Sequence, residues 1–191
     1  DFCLSRGLGD VYKRQLQNAE SMFENTGVKQ IPAKFFNDLT TLTNLRRCFA
    51  ECTSLTSFGR TGNYVGQPGT SAPIVNVGIG NQFNNTNFEN IGNSLNCTEM
   101  FSGCTNLSLG TEQAYVAFYT SFYDRSVAGV GKVNMDRMFY GCSKLGTVPV
   151  IQILTGSSNY VKITESGNNN VTSHSQTFTG TNCEGVPSGW K

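Results

Sequence analysis

One phrase recurs along this chain and limits what it can fold into. MFSGCTNL at 100–107 and MFYGCSKL at 138–145 share the template [M/C]-F-x-x-C-x-x-L, and CFAECTSL at 48–55 keeps the same spacing. A second version carries Thr where the first has Cys and is one residue shorter before the next apolar position. It reads MFENTGVKQIP at 22–32 and TFTGTNCEGVP at 177–187, with QFNNTNFENIG at 82–92 a weaker match. Six copies therefore start at 22, 48, 82, 100, 138 and 177. Phe23, Phe49, Phe83, Phe101, Phe139 and Phe178 hold one equivalent position. Cys52, Cys104 and Cys142 hold a second, and Leu55, Leu107 and Leu145 a third. A unit this short cannot bury its own apolar face, so the copies must stack and share one core.

Within a copy, Leu42, Leu45, Cys48, Phe49 and Cys52 recur at helical spacing, with Asn44, Arg46, Arg47 and Glu51 on the other face. This predicts a short helix ending near Cys52. SLTSF at 54–58 alternates as a strand does, and Met135, Met138, Phe139 and Cys142 repeat the stripe before KLGTVPV. The expected fold is an α/β repeat solenoid of the leucine-rich-repeat type. Short helical turns alternate with short parallel strands, interrupted by irregular loop insertions.

With those residues in view, the chain resembles the BspA-like leucine-rich-repeat family of bacterial surface proteins. The resemblance rests on F-x-x-C-x-x-L at 49–55, 101–107 and 139–145, on FxxTGVxxIP at 23–32, and on IPAKFFNDLTTLTNLRRCFAECTSL at 31–55. It spans residues 16–58 and 94–149, and the last repeat loosely. It implies a non-enzymatic protein displayed on the cell surface or in the extracellular space. Its implied partner is a protein or glycan of a host or matrix, bound for adhesion or recognition. No cofactor and no family-wide catalytic residue comes with it. A structural or receptor-binding component of a phage particle is the alternative reading, because polar repeats also serve there as display scaffolds.

The copy starts lie 26, 34, 18, 38 and 39 residues apart, which places insertions near 59–80, 108–131 and 150–172. The first is rich in Gly and Pro and reads as a long loop or hairpin-like excursion; the last contains SGNNN and reads as strand pieces around a turn. The middle one, TEQAYVAFYTSFYDRSVAG at 111–129, sets Tyr115, Phe118, Tyr119, Phe122 and Tyr123 at i, i+3, i+4, i+7 and i+8 behind Thr111 as a helix N-cap. Two readings of that stripe stay open. It packs onto the repeats as their core face, or Tyr115, Tyr119 and Tyr123 form an aromatic platform for a glycan or protein partner.

Residues 1–15, DFCLSRGLGDVYKRQ, match nothing else in the chain. DVYKRQ back-translates to GATGTGTATAAGAGACAG and SRGLG to TCTCGTGGGCTCGGA, which resemble the adapters of transposase-based sequencing libraries. Residues 1–15 are therefore set apart as an artefactual, disordered tail and excluded from fold reasoning. Residues 16–191 are taken as a single repeat domain. Setting the tail aside takes Lys+Arg from 14 to 11 and Asp+Glu from 13 to 11, for no net charge. That balance lacks the electrostatic footprint of a nucleic-acid-binding protein. No apolar run approaches the roughly 18 residues of a membrane span.

Six cysteines remain after Cys3 is set aside. A cysteine repeated down a ladder behaves first as a small buried hydrophobe. There is no CxxC pair and only one histidine, His174, so a zinc site has no ligand set. His174 sits at the copy position held elsewhere by Ala19, Leu45, Cys97 and Met135, which predicts a core-facing residue rather than a catalytic base. The Asn-x-Ser/Thr triplets at Asn84, Asn96, Asn106 and Asn170 read as polar turn residues, with Asx-turns as the structural reason. Removing residues 1–15 is expected to leave the thermal melt unchanged; a lowered melting temperature would show that the tail packs.

Overall fold

The structure is a computed structural model. It describes residues 16–31, 41–58, 95–108, 133–148, 150–152, 160–162, 164 and 171–191. Phe83, the tyrosine stripe at 115–123 and residues 1–15 lie outside them.

The motif copies form five stacked rungs of identical length, at 18–26, 44–52, 96–104, 134–142 and 173–181. Each rung is a run of overlapping turns. In the second, Cys48 N–H donates to the Leu45 carbonyl, Ala50 to Arg47 and Cys52 to Phe49. The N–H groups between these donate out of the rung instead. Leu45 donates to Asn96, Arg47 to Thr98, Phe49 to Met100 and Glu51 to Ser102, at 2.7 to 3.0 Å. All four junctions between rungs repeat this set of four bonds. Successive N–H groups thus alternate between the rung's own turn and its neighbour.

That alternation corrects the expected fold class. Among the described residues there is no α-helix, and no solenoid of alternating helices and strands is formed. An α-helix needs each N–H to reach four residues back, and negative φ throughout. Here φ turns positive at the fourth and eighth residue of each rung, as at Arg47 (53°) and Glu51 (58°), or Arg137 (53°) and Gly141 (72°). Turns closed by i+3 bonds bury residues at steps of three, one and three, so the rung reproduces the apolar spacing of a helix without being one. The last such position is glycine in three rungs. At Gly180 (φ 75°) an added Cβ would lie 3.2 Å from the Gly141 Cα, so the close stacking also excludes a side chain there.

Short strands flank the rungs. β1 (Gln30–Ile31) pairs in parallel with β2 (Ser57–Phe58) after the first two rungs. β3 (Leu95–Asn96), β4 (Val133–Asn134) and β7 (Val171–Ser173) lead into the last three and form a parallel sheet in the order β3-β4-β7. The register of β4 on β7 shifts by one between Val133 and Asn134. β5 (Val150–Gln152) and β6 (Tyr160–Lys162) pair antiparallel.

The core runs up the middle of the stack. Phe23, Phe49, Phe101, Phe139 and Phe178 form one column of offset rings, with centroids 5.2, 5.7, 5.6 and 5.6 Å apart and planes within 17°. Phe49 stacks directly on Phe101, so the copies at 48 and 100 are neighbours in space. Leu55, Leu107 and Leu145 are fully buried beside the column. Such ring pairs add roughly 0.5–1.5 kcal/mol each beyond the area they bury.

The cysteines complete the backbone accounting. The Sγ atoms of Cys52, Cys104 and Cys142 donate to the carbonyls of Phe23, Phe49 and Phe101 in the preceding rung, at 2.9 to 3.1 Å. Each of those carbonyls also takes the N–H from its own turn, so both lone pairs are used. Thr26 and Thr181, in the two outermost rungs, turn back onto the Phe23 and Phe178 carbonyls of their own turns. Among the described rungs, the Cys version is therefore inner and the Thr version outer. Cys48, Cys52, Cys97, Cys104, Cys142 and Cys183 are all free and buried. Burial pushes the Cys48 and Cys142 thiols up to about 12, which leaves them protonated and poorly nucleophilic near neutral pH.

Phe101 is 0% exposed and Met22 45%. Phe101→Ala or Phe139→Ala is expected to cost about 3–5 kcal/mol in urea unfolding, and Met22→Ala less than about 0.5 kcal/mol. Equal effects at the two kinds of site would contradict the column.

Candidate functional site

Every rung opens with a polar residue, Asn18, Asn44, Asn96, Asn134 or Ser173, aligned by parallel pairing. The Oδ1 of each Asn accepts the N–H two residues on, from Glu20, Arg46, Thr98 and Asp136, at 2.8 to 3.0 Å. These Asx-turns launch the rung and occupy the Asn side chains in structural work. At Ser173, Asp136 of the preceding rung substitutes, accepting from the Ser173 hydroxyl at 2.6 Å and from the Ser175 N–H at 2.7 Å.

The fourth residue of each rung forms the most chemically distinctive row: Ser21, Arg47, Glu99, Arg137 and Gln176. All five have positive φ, which turns their side chains onto one outer face. The charges alternate. Arg47 binds Glu24 Oε1 through Nη2 at 2.5 Å and Nε at 3.0 Å, and reaches Glu99 Oε2 through Nη1 at 2.7 Å. The other Glu99 oxygen lies 3.1 Å from Arg137 Nη1. The Arg137 guanidinium in turn sits 4.4 Å from the centre of the Tyr140 ring. The result is one continuous chain, Glu24–Arg47–Glu99–Arg137–Tyr140, across four rungs. Glu99, with its side chain 13% exposed, is the most buried of the four charged members. Beside it, Arg46 pairs with Glu20 at 2.7 Å.

Hydrogen bonds from Arg47 and then Ser21 hold the Glu24 carboxyl below its ordinary value, and Arg46 and Asn44 do the same for Glu20. Bonds from Glu24 and Glu99 raise Arg47 further. Glu24, Arg47, Glu99 and Arg137 each face an opposite charge, so the row is a fixed polar pattern rather than a poised acid or base. Among the described residues no group of three or more His, Cys, Asp or Glu could hold a metal ion.

His174 does not enter the core as its position suggested. Its half-buried ring lies flat on Trp190, centroids 4.0 Å apart and planes 7° apart, with Nδ1 3.0 Å from the Gly189 carbonyl. Of the residues singled out in the sequence, Phe23, Phe49, Phe101, Phe139, Phe178, Cys52, Cys104, Cys142, Leu55, Leu107 and Leu145 come together in one core. The candidate contact residues Tyr115, Tyr119 and Tyr123 lie outside the described residues. The charged row escaped the sequence reading, although a signal for it exists: each of its members stands two residues before the motif phenylalanine.

Compared with protein-family models, with curated proteins and with solved structures, the chain matches none.

Removing Arg47 leaves Glu99 largely buried with one partner. Arg47→Ala is expected to cost about 1–2 kcal/mol, and Arg46→Ala, at an exposed pair, less than about 1 kcal/mol. The sign of the pH dependence follows from the lowered Glu24 carboxyl. Its contribution is present above the ordinary value of 4.5 and is lost as pH falls below it. Urea melts between pH 3 and 7 should therefore show an acid loss of stability that shrinks in Arg47→Ala; an identical acid loss in both proteins would count against the pairing.

Proposed function

We propose that this chain is a non-enzymatic recognition module, displayed on a cell surface or in the extracellular space, that binds a protein or glycan of a host or matrix. The observation that carries this reading is the alignment of equivalent side chains into rows along the stack. The row from Ser21 to Gln176 repeats its spacing over five rungs and fixes its charges by mutual pairing. A long, regular, pre-ordered polar face suits an extended macromolecule better than a small substrate. The balanced net charge of residues 16–191 fits a partner that is not a polyanion. The BspA-like motif phrases support the same reading by resemblance alone.

The test is direct binding of the purified chain to glycan arrays and to immobilised extracellular-matrix proteins. Saturable binding is expected, weakened at least tenfold by the double substitution Arg47→Ala/Arg137→Ala. Absence of saturable binding to either panel would remove the proposal.

A further inference from the structure

Two arginines stand at the same place in their rungs and share one carboxylate, yet their guanidinium groups are satisfied differently. Arg47 makes three hydrogen bonds: Nε and Nη2 to Glu24 Oε1, and Nη1 to Glu99 Oε2. Carboxylates fill its fork from both sides. Arg137 has the same positive φ of 53° and the other Glu99 oxygen 3.1 Å from Nη1. It has no second carboxylate among the described residues. Its Nε is buried and finds no acceptor. A buried donor left unpaired costs stability and calls for a reason.

The sequence supplies the reason. The second carboxylate of Arg47 comes from the seventh residue of a rung, Glu24. Around Arg137 the seventh residues are Ser102, Tyr140 and Thr179, none of them acidic. The Thr179 hydroxyl is itself buried without a partner. The two unpartnered atoms thus fall in adjacent rungs. Arg137 is nonetheless held in place. Its guanidinium lies 4.4 Å from the centre of the Tyr140 ring, and Glu99 draws on Nη1. Its side chain is 43% exposed, against 28% for Arg47. With Nε buried, the Nη1/Nη2 edge is what a partner meets. A fork fixed by stacking, with no hydrogen-bond acceptor among the described residues, is preorganised for a planar acceptor that takes two bonds at once.

We propose that Arg137, stacked on Tyr140, is the anchor of the recognition face and takes an aspartate or glutamate side chain of a protein partner. This rests on the reading of the row as a recognition face. Arg47 shows within the same row that one such arginine accommodates two carboxylates. Glu24, Arg47, Glu99 and Arg137 together carry no net charge, so a single carboxylate adds little repulsion. An acidic glycan repeats its acid along the chain and sets further charges against Glu99 and Glu24, whereas a protein can present one. Arg and Tyr are also the side chains that most often dominate protein–protein contacts.

The test selects binders to the purified chain from a displayed library of random peptides. The enriched sequences, made as synthetic peptides, are titrated against the intact chain, Arg137→Lys and Arg137→Gln, with a cooperative melt as the check of folding. Lysine keeps the charge beside Glu99 but has no fork. Enriched peptides are expected to share an acidic residue. Replacing it by Asn or Gln should weaken binding to the intact chain about tenfold or more. Against Arg137→Lys the same replacement should matter by no more than about twofold, the mark of a direct pair in a double-mutant cycle. Should Arg137→Lys fail to fold, Arg137→Gln takes its place in the cycle. An acidic residue that matters equally to both chains overturns the proposal, as does a failure of any peptide to enrich. Binding that survives Arg47→Ala/Arg137→Ala removes the recognition face itself. Binding lost in that double variant but indifferent to the peptide acid removes only the anchor. Uronic-acid glycans that bind the intact chain and not Arg137→Lys, with no acidic peptide doing so, overturn the assignment to a protein.

Discussion

The structure depends on how successive backbone N–H groups are divided. Within a rung one donor closes a turn and the next crosses to the neighbouring rung, so neither the rung nor the stack is hydrogen-bonded without the other. A single rung would leave four donors and four acceptors facing water, too many to order on its own. Buried backbone groups must be paired, and here that demand is met only by repetition. The Asx-turns at the start of four rungs and the Cys Sγ bonds at the end of three extend the same accounting to groups the turns leave over.

From that division follow the shapes of the core and the surface. Because every junction uses the same bonds, equivalent residues fall directly above one another. Phenylalanine at one position becomes a column of stacked rings, and cysteine three residues on becomes a row of buried thiols, of which burial keeps Cys104 and Cys142 protonated. Residues at the positive-φ positions become outward rows. A row of identical charges would repel at the spacing of stacked backbones, and Arg47, Glu99 and Arg137 alternate instead. The polar face proposed as the recognition surface is therefore ordered by the same repetition that orders the core.

Repetition also leaves an end problem. Among the described residues, the last rung has alternate N–H groups with no further rung to receive them. Trp190 deals with one of them by lending its carbonyl to Phe178 and its ring to His174. That contact explains why His174 holds a place that is core in other rungs yet lies half-buried: its rung has a ring above it rather than another rung.

The motif spacing marks Phe49, Phe101, Phe139 and Phe178 as equivalent, and the pattern of three, one and three marks Leu45, Cys48, Phe49 and Cys52 as one apolar face. Those are local facts, carried by residue type and interval. The interval cannot distinguish a helix from a rung, because both bring residues three and four apart onto one side. The difference lies in where the alternate N–H groups go, and that is decided only when a neighbouring rung supplies carbonyls. For the same reason the sequence could place Arg47, Glu99 and Arg137 at one offset but could not pair them, and it could not set the rung at 48 against the rung at 100. The sequence by itself determined which side chains are interchangeable from copy to copy. The tertiary structure decided the backbone they hang from, because its conformation is stable only with bonds that cross between copies.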